Sequence, residues 1–244
     1  MSDHENSANA YAQAVAAYDE ALARAPDHVD AHNNKGSALA RLGELRAALS
    51  DHEGAANAYA QAIAAFDEAL ARAPDYVLAH NNKGNALQGL GELRAALSDH
   101  EGAANAYAQA VGAYDEALAR APDDVAAHNN KGFALAELGA LRAALSDHEG
   151  AANAYAQAVA ACDEALARAP DDVDCLHSKI HCLRLYSVSE KELGRKSPGC
   201  ERLQEAMCLL HHALELAPSH PELNEEKSLV ESLLTEMCPE RIID

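Results

Sequence analysis

His32, His80 and His128 recur every 48 residues, and so do His4, His52, His100 and His148, each of these four between an aspartate and a glutamate. If neighbouring copies stack, such histidines line up beside carboxylates, and a ladder of imidazole and carboxylate can hold zinc or titrate near neutral pH. Single residues multiplied by duplication are also what packing or hydrogen-bonding histidines look like, and that is the expectation here, with no metal site. Paired carboxylates recur as Asp19-Glu20, Asp67-Glu68, Asp115-Glu116 and Asp163-Glu164. At the end of a predicted helix in every copy they read as a solvated charged face. Cys162, Cys175, Cys182, Cys200, Cys208 and Cys238 all fall in the last third, without a C-x-x-C pair or zinc-ligand spacing. Cys162 takes the place of Tyr18, Phe66 and Tyr114 in earlier copies, as a buried packing residue would. There is no G-x-S-x-G, phosphate-binding glycine loop or H-E-x-x-H. Neither catalysis nor a cofactor is therefore expected.

Charge narrows the partners. The formal net charge is −20 and the pI near 4.9, a field that repels phosphate backbones and anionic lipid, so nucleic acid and membrane surfaces are excluded as partners. Residues 2–6 read SDHEN with no apolar region behind them, and no run of about 18 apolar residues occurs. A cytoplasmic protein with reduced thiols is the default expectation.

The elements that carry these residues repeat almost unchanged. Tyr11, Tyr59, Tyr107 and Tyr155 mark the 48-residue period, as do Pro26, Pro74, Pro122, Pro170 and Pro218. A chain repeating at this interval is a linear array in which each unit contacts mainly its neighbours. Each unit opens with Ala-Pro-Asp, where proline ends one helix and aspartate helps to start the next. A first helix is predicted over roughly Val29–Leu42, with Gly43 as its stop. A second is predicted over roughly Glu44–Arg72, about 43 Å at 1.5 Å per residue. Its inward positions are Leu45, Leu49, His52, Ala56, Tyr59, Ile63, Phe66 and Leu70, in steps of four and three. Ser50-Asp51-His52-Glu53 has the form of a capping box and Gly54 weakens the same spot, so one continuous helix with a soft point near Ser50 is expected. Pro198 stands where Gly54, Gly102 and Gly150 stood, which predicts a break or restart there. Residues 1–174 thus read as near-identical repeats, and 175–244 as a diverged repeat closed by an amphipathic capping helix at about Pro221–Glu236. Ser2-Asp3-His4-Glu5 matches Ser50 to Glu53, so the chain opens part-way through a unit, as a natural start or as an excised piece.

The pattern resembles the tetratricopeptide repeat. Gly36 and Ala38-Leu39 are similar to that family's first-helix motif, and Ala62-x-x-x-Phe66-x-x-Ala69 followed by Pro74 to its second. The chain departs from it in three ways: His32 and Lys35 stand where the family prefers Trp and Leu, Ile180 replaces the glycine in the last repeat, and the unit exceeds the usual length of about 34 residues. The extra residues amount to about two heptads, which would lengthen the second helix without rotating its buried face. The resemblance implies an all-α, right-handed helix-hairpin solenoid of about ten helices. It also implies a concave groove lined by first helices, which binds a protein or peptide.

Comparing the chain with itself locates where recognition would be written. Across the three units from Pro26 to Ala169 nine positions differ, and six of them fall in or beside the first helix. These are His28/Tyr76/Asp124, Asp30/Leu78/Ala126, Ser37/Asn85/Phe133, Ala40/Gln88/Ala136, Arg41/Gly89/Glu137 and Glu44/Glu92/Ala140. Positions 30, 37, 40, 41 and 44 project from one face at 100° per residue. The invariant Asn33, Asn81 and Asn129 border that face. Their amides suit either an extended peptide backbone or the solenoid's own turns. Arg41, His177, His181 and Arg184 supply positive or titratable character, suiting an amphipathic segment with acidic residues. The candidate binding residues are therefore Asp30, Asn33, Ser37, Arg41, Leu78, Asn81, Asn85, Gln88, Asn129, Phe133, Glu137, His177, His181 and Arg184. Because Asn33, Asn81 and Asn129 stand where the resemblance would place a clamping lysine, chaperone-tail binding is not implied. The alternatives are a structural spacer or self-associating arm of a larger protein, and metal or pH sensing through the histidines.

Overall fold

The computed structural model describes residues 3–239, so Ser2 of the amino-terminal Ser-Asp-His-Glu match lies outside it. The described residues form ten α-helices and no strand, an all-α solenoid of helix hairpins. They are α1 (Asp3–Arg24), α2 (Val29–Ala48), α3 (His52–Arg72), α4 (Val77–Ala96), α5 (His100–Arg120), α6 (Val125–Ala144), α7 (His148–Arg168), α8 (Val173–Glu192), α9 (Lys196–Leu216) and α10 (Pro221–Met237). Two compact units divide the chain, Met1–Pro122 and Asp123–Asp244. Among the described residues no helix is long and apolar enough to cross a membrane.

The helix boundaries correct the sequence reading. The first helix does not stop at Gly43, and no continuous helix spans 44–72. The break falls at Leu49–Asp51, dividing each hairpin into arms of 20 and 21 residues. The second arm is thus about 32 Å long rather than 43 Å. Ser50 adopts φ 61°, Ser50 N–H donates to Ala47 O at 2.9 Å, and Asp51 N–H to Arg46 O at 2.8 Å. Those two bonds make a Schellman closure, with serine in the left-handed place that glycine usually takes. Asp51 then caps α3, its Oδ1 accepting from Gly54 N–H at 3.0 Å. The capping residue is therefore Asp51 rather than Ser50. A Cβ on Gly54 would lie 2.0 Å from that carboxylate, so the glycine serves the cap. In the last repeat Arg195 holds the capping place and makes no side-chain cap bond. Pro198, which has no N–H to offer, fits there without losing a partner, and the helix restarts at Lys196. Gly43 has a different use. A Cβ there would sit 3.1 Å from the Tyr59 ring, so the glycine lets the aromatic seat against α2.

Left-handed serine is costly, because an L side chain loses about 1–2 kcal/mol there. Gly194, at φ 74°, stands in the same place in the last repeat. Ser98→Gly is therefore expected to stabilise the amino-terminal unit by about 0.5–1 kcal/mol, after allowing for glycine's freer unfolded chain. A rise in the urea midpoint checks this, and an unchanged or lower midpoint contradicts it.

Packing sorts the helices into two layers. Within the first unit α2 pairs with α3 and α4 with α5, α1 and α3 each pack on the following first helix, and α2 touches α4. The second unit repeats this with α6–α7, α8–α9 and α10, and α8 touches both α6 and α10. Within each unit the second helices do not touch one another among the described residues, so the first helices form the contiguous layer. The interface is built from alanine. Ala55, Ala62 and Ala69 are fully buried beside Phe66, and Ala103, Ala110 and Ala117 beside Tyr114. Lys35, Lys83 and Lys179 stand at the place where a leucine was expected and reach Asp19, Asp67 and Asp163 of the preceding second helix at 2.6–2.7 Å. The carboxylate pairs read as a solvated face are thus partly used in tying successive helices together.

Candidate first-helix recognition face

On the first unit, Asp30, Asn33, Ser37 and Arg41 lie on α2, and Leu78, Asn81, Asn85 and Gln88 on α4. Helix-to-helix hydrogen bonds join them. Tyr76 Oη donates to Asp30 Oδ1 at 2.9 Å, and Asn82 Nδ2 donates to Asn33 Oδ1 at 3.1 Å and to Ser37 Oγ at 3.4 Å. Asn33 is buried and spends its carbonyl on that bond, so its amide serves the solenoid rather than an open surface. Tyr114 Oη reaches inward from α5 to Asn85 Oδ1 at 2.7 Å and to Gln88 Oε1 at 3.3 Å.

Charge on this face is paired locally. Arg41 Nη1 donates to Glu44 Oε2 at 2.7 Å, a bond that raises the guanidinium further above its ordinary range. Gln88 Nε2 donates to Glu92 Oε1 at 3.2 Å. Burial pushes the Glu92 carboxyl up, the Gln88 bond opposes this, and Glu44 adds to the rise. Burial also raises the Tyr76 phenol, and the Asp30 bond adds to it. What remains open is apolar: Leu78 is half exposed at 50%. Beside it, Val29, Asp30, Ala73, Pro74, Asp75 and Tyr76 line a shallow recess.

On the second unit, Asn129, Phe133 and Glu137 lie on α6, and His177, His181 and Arg184 on α8. Ser178 replaces the Asn82 amide that bonds Asn33 Oδ1, and Phe133 the Ser37 hydroxyl that the same amide also reaches. The Asn129 carbonyl is accordingly buried without a hydrogen bond, beside a partly exposed aromatic ring. The α8 residues are turned to α10 instead. His181 Nδ1 lies 2.7 Å from Glu226 Oε1, and Arg184 donates to both Glu226 oxygens at 2.6 and 3.1 Å. Burial pushes the Glu226 carboxyl up, but the His181 and Arg184 hydrogen bonds outweigh it and hold the group at about 2. His177 lies 3.7 Å from Glu222 and 6.1 Å, ring to ring, from His220, and burial lowers it against the pull of Glu226 and Glu222.

The sequence pattern of the capping helix does not single out Glu222 or Glu226. The repeat register held a signal for Glu226, because it occupies the place of Asn82, which reaches back to the preceding first helix. The recurring histidines are placed too. His32 and His80 donate from Nε2 to the carbonyls of Pro26 and Pro74 at 2.8 Å, fastening the turn before each first helix. Among the described residues no group of three or more His, Cys, Asp or Glu is arranged to hold a metal ion. The thiols require a correction: Cys200 and Cys238 form a disulfide, whereas Cys162, Cys175, Cys182 and Cys208 are free.

Comparison with known proteins bears on the fold. A tetratricopeptide repeat model matches residues 7–56 and 95–151. No curated protein matches the chain by sequence. Among solved structures, BtubC (BKLC) from P. vanneervenii is similar over 97% of this chain and 93% of its own, with a TM-score of 0.63 at 14% identity. TTC0263, a tetratricopeptide protein of Thermus thermophilus, covers 94% of this chain and 99% of its own at 17% identity and a TM-score of 0.46. YrrB, described as having an unusual peptide-binding site, covers 87% and 98% at 14% identity and a TM-score of 0.35.

Proposed function

We propose that this chain, whose repeats match a tetratricopeptide repeat model over residues 7–56 and 95–151, is a protein-interaction scaffold whose first-helix face binds a peptide or protein segment. One observation carries the reading: in units otherwise copied residue for residue, six of nine differences fall in or beside the first helix. Drift on exposed positions would also mark the second helices, yet Asp51, Glu53, Glu68 and Arg72 are unchanged in all three units. Part of the variation is internal accommodation, since Tyr76 bonds Asp30 and Ala136 is buried. The remainder reaches solvent at Arg41, Leu78, Asn85 and Phe133.

The contact chemistry follows from what is left unspent. Leu78 and Phe133 are apolar anchors, and the unpaired Asn129 carbonyl accepts an N–H from a segment that opens it to contact. Arg184 and His181 are occupied by Glu226, so these two groups of α8 support α10 rather than a ligand. The segment is therefore expected to be apolar with donors rather than strongly acidic, against a chain of net charge −20. Affinity purification with Leu78→Ala and Phe133→Ala tests this, as truncating an anchor costs roughly 1–2 kcal/mol, or about 5- to 30-fold in Kd. If both variants retain every partner at full affinity, the first-helix face is not the binding site.

A further inference from the structure

The recess beside Leu78 joins the start of α2 to the turn before α4, and two of the places that differ between repeats meet in it. Val29, Ala73 and Pro74 contribute apolar surface, Tyr76 an aromatic ring, and Asp30 and Asp75 carboxylates, around a volume of about 450 Å³. Its parts are held in position. Tyr76 Oη donates to Asp30 Oδ1 at 2.9 Å, Arg120 Nε donates to Asp75 Oδ1 at 3.1 Å, and His80 Nε2 lies 2.8 Å from Pro74 O. Asp75 is thereby matched with a cation. Asp30 takes only a neutral phenol, so its charge stands uncompensated at an exposed position.

This junction departs from its copies. His28, Asp124 and Asp172 hold the place of Tyr76, and each caps its helix by accepting a backbone N–H, from Ala31, Ala127 and Cys175. Tyr76 makes no such bond. The cap is given up for a ring whose hydroxyl turns to Asp30. In the second unit the copies of Asp30 and Tyr76 are Ala126 and Asp172. Val125, Ala169 and Pro170 repeat the apolar residues there, but the ring and the carboxylate it holds are both gone. Local rules are broken where a site is built, and here the two changes come as a pair.

One side chain matches every part of the recess. The methylene stem of an arginine lies along apolar surface, its planar guanidinium stacks on an aromatic face, and its N–H groups bond a carboxylate. Lysine brings the charge without the plane, and a neutral or acidic side chain leaves Asp30 unanswered. The net charge of −20 draws a cationic segment toward the chain. Leu78, half exposed and two residues beyond Tyr76, then receives an apolar neighbour of that arginine.

We infer that the Asp30–Tyr76 recess is an arginine pocket, which takes the arginine of a partner segment while an adjoining apolar residue covers Leu78. The inference rests on the reading that the first-helix face binds a segment, and it names the chemistry of that segment at one place. A random peptide library displayed on phage and panned on the intact chain supplies the probe. Selected peptides are expected to carry arginine beside an apolar residue. A leading peptide, titrated by fluorescence anisotropy, should weaken about tenfold when its arginine becomes the neutral isostere citrulline, and less when it becomes lysine. Asp30→Asn should close that gap and leave both peptides equally weak, while Leu78→Ala weakens both alike. The citrulline peptide alters the ligand alone, so it reads the pocket whatever Asp30→Asn does to folding. Selections without arginine, or an arginine–citrulline gap that persists in the Asp30→Asn chain, would overturn the pocket. If such peptides still lose affinity with Leu78→Ala or Phe133→Ala, the first-helix face stands without it. Arginine dependence that needs Asp30 and ignores both of those variants would support the pocket and overturn the wider face. A library that yields no binder overturns both.

Discussion

Replacing Glu226 with alanine is expected to destabilise the carboxy-terminal unit by about 3–5 kcal/mol, the cost of leaving a buried ion without its partner. Glu226 is 5% exposed and its two oxygens take His181 and both nitrogens offered by Arg184. Without it, a guanidinium 14% exposed faces α10 with no counter-charge. Glu226→Leu combined with Arg184→Met removes both charges and should recover most of the loss, since packed apolar side chains replace such pairs at little cost. Urea denaturation of the three chains checks this, and equal midpoints for wild type and Glu226→Ala would contradict it.

The pH dependence follows from the same residues. Glu226 is held at about 2, below its ordinary 4.5, so its stabilisation is fully present above pH 4.5 and is lost as pH falls toward 2. His177 is lowered from 6.5, so its protonation opposes the folded unit, and stability begins to fall as pH drops below 6.5. Loosening of α10 on acidification should therefore start with His177 and steepen below pH 4.5. Glu222, Glu226, His181 and His220 face His177 in this contact, with Arg184 behind them.

Loss of the Cys200–Cys238 disulfide is expected to cost about 4 kcal/mol in the chain-entropy account, given the 38-residue separation it closes. The bridge ties the first turn of α9 to the residue after α10, so its loss frees the last helix first. Cys200→Ser and Cys238→Ser should melt alike without reductant, and wild type should fall to their level when reductant is added. Six reactive thiols in the unfolded, unreduced chain would show that the bridge is absent.

How much of this was legible before the structure differs by element. The Ala-Pro-Asp turns, the start of each first helix and the last helix at Pro221 follow from local rules that tertiary packing does not override. The hairpin break did not, because its closing residue is Ser50, a residue type seldom left-handed, while Gly43 looked like a stop. Gly43 is glycine for the sake of Tyr59, a contact invisible in a linear chain. The Ser50–Glu53 capping box, Gly54 and Pro198 marked the spot only as a soft point, and Gly194, in the register of Ser50, was the clue to a left-handed closure. The first-helix face was located by comparing repeats, yet that comparison does not separate residues that reach solvent from those that serve a neighbour. Asn33, His181 and Arg184 fall in the second class because their partners, Asn82 and Glu226, come from the next first helix. The disulfide was missed for a similar reason: nothing in the spacing of Cys200 and Cys238 tells that the α9–α10 hairpin brings them together.

The central claim, that the first-helix layer is the recognition surface, is most directly tested by amide hydrogen exchange on the chain bound to a peptide selected against it. The account predicts added protection in α2, α4 and α6, with α3, α5 and α7 unchanged. Protection confined to α3, α5 and α7, with the first helices exchanging as in the free chain, would contradict it.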